Sequence, residues 1–398
     1  MIELDDRLTR LQACAREWAA EMRPFSLEVD QAPDTLRRHL DLPALSRVSR
    51  LQIPPRYNPD PLVLAGHRFY LMSALERVVF FEEGAWGDLG MMLGAPGAAM
   101  AGILVNELGD DEQREAFFGR LLERPTWTFF ALTEPDTGSD AGGLRTRFIP
   151  AEGVGRLDGR KRFVGNAARG ELGVVFARTG PGLLALVAVL VESTWTGFSA
   201  APLRTSGVRG AELGEIVMDG VPVPPERVLG RHLPATRRGM HAWIRVFNHL
   251  RPAVATMGVG VARAAHDYVV QNRRRLGSDE HDRLDRMRCR IEEVRQLSRR
   301  AALAVDRDPD CGHLGSAAKV AAARLAEDCT AAAVGFFGPG ALLDHPLLDK
   351  LSRDARSVEY MEGTTNVQLL NLSGVVLRDR AGPLPRGPAV SPGRAVTR

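Results

Sequence analysis

The sequence predicts an α+β protein of segregated domains, and three observations carry that expectation. Apolar residues recur every three or four positions through the first third of the chain, gather into short β-rich runs in the middle, and return to a long helical period afterwards. Helices, then strands, then helices favour discrete units over an alternating sheet. The expected organisation is an N-terminal all-α domain over 1–125, a small central β domain over 126–237, a C-terminal helical bundle over 238–378 and a disordered tail over 379–398.

Leu8, Leu11, Ala15, Trp18 and Met22 share one face of a first helix, and Phe69, Met72, Leu75 and Val79 share that of a later one. From about Thr126 the runs WTFFAL, KRFVG, GVVFAR, LALVAVLVE and EIVMDGVPVP are separated by Gly, Asp and Pro turns, the pattern of a small all-β unit. Leu284, Met287, Ile291, Val294 and Leu297 then form a continuous apolar face, and SAAKVAAARLAEDCTAAAVGFF reads as another long helix. Long helices with short connections make a bundle. The closing RAGPLPRGPAVSPGRAVTR is rich in Pro, Gly and Arg and has little to bury.

A chain of 398 residues can build two or three cores. Its net charge of +3 is too small at that length to imply a nucleic-acid partner. Lys161, Lys319 and Lys350 are the only lysines. No apolar run approaches the roughly 20 residues that span a bilayer, and MIELDDRLTR lacks the basic start and apolar core of a signal peptide, so the expected location is the cytoplasm, away from membranes. Cys14, Cys289, Cys311 and Cys329 form no CxxC pair and no His stands at zinc-ligand spacing, so neither disulfides nor a metal site are expected. There is no Walker loop, HExxH, GxSxG, or GxGxxG following a strand. The glycines of GVGVARAAH sit in a helical pattern, where close packing accounts for them.

Two stretches could carry chemistry. In YMEGTTNVQ, Glu362 stands beside Gly-Thr-Thr in a patch otherwise apolar or uncharged. It reads either as a helix break and restart or as a base whose removal from water raises its proton affinity. In FFALTEPDTGSD a strand runs into a turn crowded with hydroxyls and free backbone N–H groups, able to bond a polar planar ligand or simply a polar turn.

Together these stretches resemble the two signatures of the acyl-CoA dehydrogenase flavoprotein family, ALTEPDTGSD the first and RDARSVEYMEGTTNVQ the second. Between them, KRFVGNAARGELGVVFAR is similar to the flavin-facing strand pair, GEIVMDGVPVPPERVLG to the end of the β domain, and NRRRLG to the arginine motif of the bundle, over about residues 8–378. The resemblance implies a helical N-terminal domain, a central β-barrel or sandwich and a C-terminal four-helix bundle, with FAD between the last two. It also implies α,β-dehydrogenation of an acyl thioester to a trans-2-enoyl thioester, with Glu362 removing the α-proton while hydride leaves for flavin N5. The carbonyl is polarised by the Glu362 backbone N–H and a flavin ribityl hydroxyl.

Carried over residue by residue, Phe130, Leu132, Thr133, Gly138 and Ser139 match flavin contacts, Ser139 also a contact to the thioester linker. Phe163 replaces the usual Trp, Gly165 a usual Thr or Ser, and Thr364 and Asn366 match flavin contacts after the base. Arg273 and Gly338 match the pyrophosphate and adenine side, where Leu284, Val334 and Phe337 depart from the pattern. Asn248, Arg251, Met361 and Gly363 are expected at the substrate, Asn248 in place of an Asp that meets the pantetheine arm. Val358 and Val367 join Met361 as candidates for a dry wall. The alternative position for a base is occupied by Leu250, which has no proton acceptor.

The partners so implied are an acyl-CoA or acyl-carrier protein, an electron-transfer flavoprotein or other acceptor, and further copies of this chain in a homodimer or homotetramer. Two other readings remain: an oxygen-using oxidase or flavin monooxygenase, suggested by Phe163 and Gly165, and a non-catalytic acyl-binding relative, suggested by the adenine-side departures.

Overall fold

The computed structural model describes residues 2–381. The chain starts with α1 (Asp6–Met22), whose Asp5 cap accepts the Leu8 N–H at 2.8 Å. Two short helices follow, α2 (Ser26–Gln31) and α3 (Pro43–Ser46), then an antiparallel hairpin of β1 (Leu62–Leu64) and β2 (His67–Phe69). This hairpin interrupts a region expected to be wholly helical. Phe69 closes β2 instead of starting a helix face, and α4 (Ala74–Gly94) begins only after Ser73, which is extended and accepts the Glu76 N–H at 3.1 Å. α5 (Ala99–Leu108) and α6 (Asp111–Glu123) complete this part, α6 opening with a capping box between Asp110 and Gln113.

The middle of the chain forms one seven-stranded sheet from β3 (Thr128–Ala131), β4 (Arg147–Ile149), β5 (Gly155–Val164), β6 (Leu172–Arg178), β7 (Leu186–Glu192), β8 (Phe198–Pro202) and β9 (Gly214–Val223). The order is β3-β6-β4-β5-β9-β8, with β7 antiparallel on the other edge of β6. Both β6 and β7 are buried on both faces and read as continuous apolar runs, whereas β9 alternates. β4 is only three residues long and β8 mostly exposed, so neither has a hydrophobic signature and neither was expected.

From residue 240 the chain is helical: α7 (Met240–Asn272), α8 (Ser278–Arg307), α9 (His313–Val334), α10 (Ala341–Asp344), α11 (Pro346–Val358) and α12 (Thr365–Ala381). α7 runs through the centre, and its glycines do what packing requires. A Cβ at Gly260 would lie 2.4 Å from the Glu82 carbonyl oxygen of α4, and one at Gly258 2.9 Å from that of Ala322 in α9. α12 continues three residues into the segment expected to be tail; the rest of that segment lies outside the described residues. Among the described residues no single helix is long and apolar enough to cross a membrane.

A buried charge cluster fixes α11, the helix that leads to Glu362. Lys350 Nζ lies 2.6 Å from Asp88 Oδ2 and 2.5 Å from Asp354 Oδ2, with all three side chains nearly fully buried. Asp88 marks the kink in α4, and Asp354 Oδ1 accepts the Val208 N–H at 2.6 Å from the loop before β9. One ammonium thus joins α4, α11 and the β domain. Burial opposes the Lys350 charge, but the two carboxylates outweigh it and hold its pKa above the usual range, while burial raises that of Asp88.

Candidate active site

α11 ends at Val358, a turn follows, and α12 starts at Thr365. Glu362 lies in that turn with φ +50° and Gly363 with φ +100°. A left-handed glutamate is strained and persists only if its surroundings hold it there. Buried Gln368 does so, donating through Nε2 to the carbonyls of Glu362 (2.9 Å) and Gly363 (3.2 Å) while its Oε1 accepts from Ser316 Oγ at 2.8 Å. Glu359 caps α12 by accepting Thr365 N–H and Oγ1–H at 2.7 and 2.6 Å, and Lys319 Nζ donates to the Glu359 carbonyl at 2.5 Å. The helix break and the presentation of Glu362 are therefore one feature. At Gly363 a Cβ would meet Gln368 Nε2 at 2.7 Å, so Gly363→Ala is expected to displace that clamp and cost about 1–3 kcal/mol by thermal unfolding.

Glu362 as a residue is only half-buried, yet its Oε2 is shielded from solvent and has no hydrogen-bond partner. Burial raises its pKa from the ordinary 4.5 to about 8, against the pull of Arg251, Lys319 and Arg77. Arg251, 7% exposed on α7, bonds Asn248 Oδ1 at 3.0 Å and leaves its Nε unpartnered; burial lowers its pKa and Glu362 raises it. The Lys319 ammonium is brought down to about 8 by burial, partly offset by Glu359 and Glu362. Met361 packs on the main core and Val358 is fully buried within it, so two of the three expected wall residues stand in apolar packing, while Val367 is half-buried. Sequence reasoning missed Lys319 and Arg77; the usable signal for Lys319 was a lone lysine inside an alanine-rich helix, whereas Arg77 shares its helix with Glu76, Glu82, Glu83 and Asp88 and gave no such signal.

The second cluster lies on the sheet. Leu132, at the end of β3, is buried, and its carbonyl accepts from Lys161 Nζ at 3.0 Å. Lys161 also meets Glu134 Oε1 at 2.9 Å, and Glu134 accepts the N–H groups of Arg145 and Thr146 and the Thr146 hydroxyl. This buried pair fixes the strand exit at Thr133, whose carbonyl accepts the Arg162 N–H at 2.9 Å. In β5 the register with β9 slips between Arg162 and Val164, so Phe163 is a bulge residue at φ +59° and is 57% exposed. Space is open at Gly165 and Gly138, where a Cβ would touch nothing nearer than 4.0 and 3.9 Å. Phe130 instead packs its ring against Phe176 (5.3 Å) and Phe247 (6.2 Å). The two clusters are coupled through the loop before β9: Asn166 N–H donates to Ala211 O at 2.9 Å, and Val208 N–H to Asp354 in α11.

Residues 129–221 match the acyl-CoA dehydrogenase middle domain and residues 237–377 the acyl-CoA dehydrogenase C-terminal domain. An acyl-CoA dehydrogenase of Bacillus subtilis (strain 168) is 32% identical over 282 residues, covering 68% of this chain and 73% of that protein. The chain belongs to the acyl-CoA dehydrogenase family. Its fold is also that of butyryl-CoA dehydrogenase from Megasphaera elsdenii (TM-score 0.82, 24% identity, 95% of this chain and 100% of that one) and of the FAD complex of PigA (TM-score 0.82, 18% identity, 94% and 99%).

Within this acyl-CoA dehydrogenase fold the remaining expected site residues are spread out. Ser139 is exposed in the turn after β3, Asn366 is exposed on α12, and Thr364 is half-buried just before it. Buried Asn248 is engaged on both sides, accepting from Arg251 and donating to Pro309 O at 3.2 Å. Arg273 caps the end of α7, paired with Glu280 at 2.8 Å, and keeps a shielded, unpartnered Nε. Gly338 has φ +81°, which accounts for glycine there. Phe337 packs against Tyr268 and His345, whose Nδ1 lies 2.8 Å from the Tyr268 hydroxyl. Surface clefts of about 410 Å³ at Phe117 and Leu190 and about 700 Å³ at Asp267 and Ile291 contain none of the expected site residues.

Proposed function

We propose that this chain is an FAD-dependent dehydrogenase of acyl thioesters in which Glu362 removes the α-proton. The observation that carries the reading is the shielded, unpartnered Oε2 of Glu362, held in a left-handed turn with its pKa pushed up to about 8. An exposed aromatic ring at Phe163, open space at Gly165 and Gly138, and the free Nε of Arg273 fit a flavin and its pyrophosphate. When bound, FAD supplies the acceptor for the hydride leaving the β-carbon. Thr133, Gly138, Ser139, Phe163, Gly165, Thr364 and Asn366 would hold it, with Arg273 and Gly338 on the adenine side. Leu132, buried just beyond β3, stands beside them. The Glu362 N–H orients the thioester carbonyl, Met361 and Gly363 border it, and Arg251 favours the ionised base.

This base works only when ionised, so the rate of substrate-driven flavin reduction is expected to rise with pH toward a plateau above about 8. Arg251→Gln removes the first of the cations that favour the carboxylate and should move that limb to higher pH; a rapid-mixing pH profile measures both. Stability runs the other way. The folded state holds the Glu362 proton more tightly than the unfolded chain between 4.5 and about 8, so stability is lost as pH rises through that window, and Glu362→Gln should melt higher than wild type above pH 8.

Phe163 and Gly165 favour a second reading, direct use of oxygen by the reduced protein, because the bulge leaves that edge exposed and no side-chain hydroxyl stands at residue 165. Stoichiometric oxygen uptake during turnover would select it, and turnover that needs an electron-transfer flavoprotein would select the dehydrogenase. Exposed Leu342 and Leu343 on α10 and Leu369, Leu370 and Leu377 on α12 support assembly as a homo-oligomer. The choice between coenzyme A and carrier protein is tested by giving one acyl chain on both.

A further inference from the structure

Beside Glu362 lie polar atoms that proton removal does not use. Arg77, 2% exposed in the first turn of α4, donates through Nε to Leu71 O at 2.9 Å and through Nη2 to Met72 O at 2.6 Å. Its Nη1 is shielded from solvent and has no partner. α7 lies against this part of α4, with Thr256 Oγ1 donating to Val78 O at 3.1 Å, and carries His249, whose Nδ1 is likewise shielded and unpartnered. The charge of Arg77 is felt at both His249 and Glu362, more weakly at Glu362 than those of Arg251 and Lys319. Arg77 is therefore within electrostatic reach of the base.

Of the three carboxylates whose charge acts on Arg77, Glu362 makes no hydrogen bond to it and the other two are already engaged. Asp306 uses its two oxygens on the N–H groups of Ala74 (2.7 Å) and Leu75 (3.0 Å), and Glu76 is taken by Arg7. Nine arginine nitrogens are shielded and unpartnered among the described residues; Arg77 Nη1 is set apart by its place within reach of the base, where a ligand can supply the acceptor. Arg251 adds to the case. Glu362 is its charged neighbour, and whenever that carboxyl is protonated the Arg251 charge needs an anion from elsewhere.

We propose that the acyl group processed at Glu362 ends in a carboxylate, remote from the thioester, which Arg77 Nη1 and His249 Nδ1 receive. This rests on the proposed thioester dehydrogenation and names its substrate class. His249 suits the role because burial, with Arg77 and Arg245, pushes its pKa down to about 4, so the ring donates one hydrogen bond without adding another buried cation. A chain ending in a protonated amine would face Arg77, Arg251 and Lys319 and is excluded by like charge.

The test compares α,ω-dicarboxylic acyl thioesters with monocarboxylic ones of equal length, each on coenzyme A and on a phosphopantetheinylated carrier protein, by kcat/KM for flavin reduction in the flavin-loaded full chain. The acidic series is expected to be favoured by about ten- to a hundredfold, the range of one charge-assisted hydrogen bond. Arg77→Gln should bring the ratio close to one, and Arg77→Lys should keep part of it. Should Arg77 variants not fold, the wild-type ratio and its decrease in His249→Leu decide. Equal or better turnover of the monocarboxylic series by wild type overturns the inference alone. Flavin that neither series reduces on either carrier overturns the proposed function and the inference with it.

Discussion

Glu362→Gln is expected to slow thioester-driven flavin reduction by about 10²–10⁴-fold while the flavin stays bound. The amide is nearly isosteric with the carboxylate, and the features that shape the turn do not involve its oxygens: Gln368 bonds the backbone carbonyls of Glu362 and Gly363, and Lys319 bonds that of Glu359. What is lost is the proton acceptor. Absorbance at equal protein concentration separates loss of chemistry from loss of cofactor, and wild-type-like reduction in a flavin-loaded variant would mean the base is elsewhere. Leu250, on α7, has no group to take over.

Lys350→Met should have the largest effect on stability, about 3–5 kcal/mol. The substitution leaves Asp88 and Asp354 close together in the interior without their cation, and at least one must take up a proton to stay buried. Its effect should reach the active site, because the same ammonium ties α11 to the kink of α4 and, through Asp354 and Val208, to the loop that also carries Ala211. Thermal unfolding with flavin retention measured on the same samples gives both quantities. The variant should recover stability at acid pH, where the two carboxyls are neutral; a uniform loss at every pH would point to packing instead of charge.

The helix–strand–helix order was legible because long elements carry their own period: the apolar faces of α1 and α8 and the continuous runs of β6 and β7 needed no tertiary information. Short elements were not. The β1–β2 hairpin and β4 are three residues to a strand, too short for alternation to register, and β8 exposes most of its side chains. Glu362 stood out because the residues around it form a recognisable motif. Its electrostatic setting did not, since Arg77, Arg251 and Lys319 come from three helices far apart in sequence. A retrospective clue lies in lysine usage: Lys161, Lys319 and Lys350 are the only lysines, and each is buried against a carboxylate. Phe163 illustrates the opposite limit. Nothing in KRFVG announces a left-handed, outward-facing aromatic, because the bulge arises from the register that β9 imposes on β5.

The central claim is that Glu362 takes the proton next to the thioester carbonyl, and the most direct measurement is hydrogen–deuterium exchange at that carbon. A thioester analogue that cannot be oxidised at its β position is incubated with flavin-loaded protein in D₂O and followed by NMR. Wild-type protein is expected to exchange the α-hydrogen catalytically, faster as pH approaches about 8, and Glu362→Gln to show only the background rate. Exchange by Glu362→Gln at the wild-type rate would contradict the account.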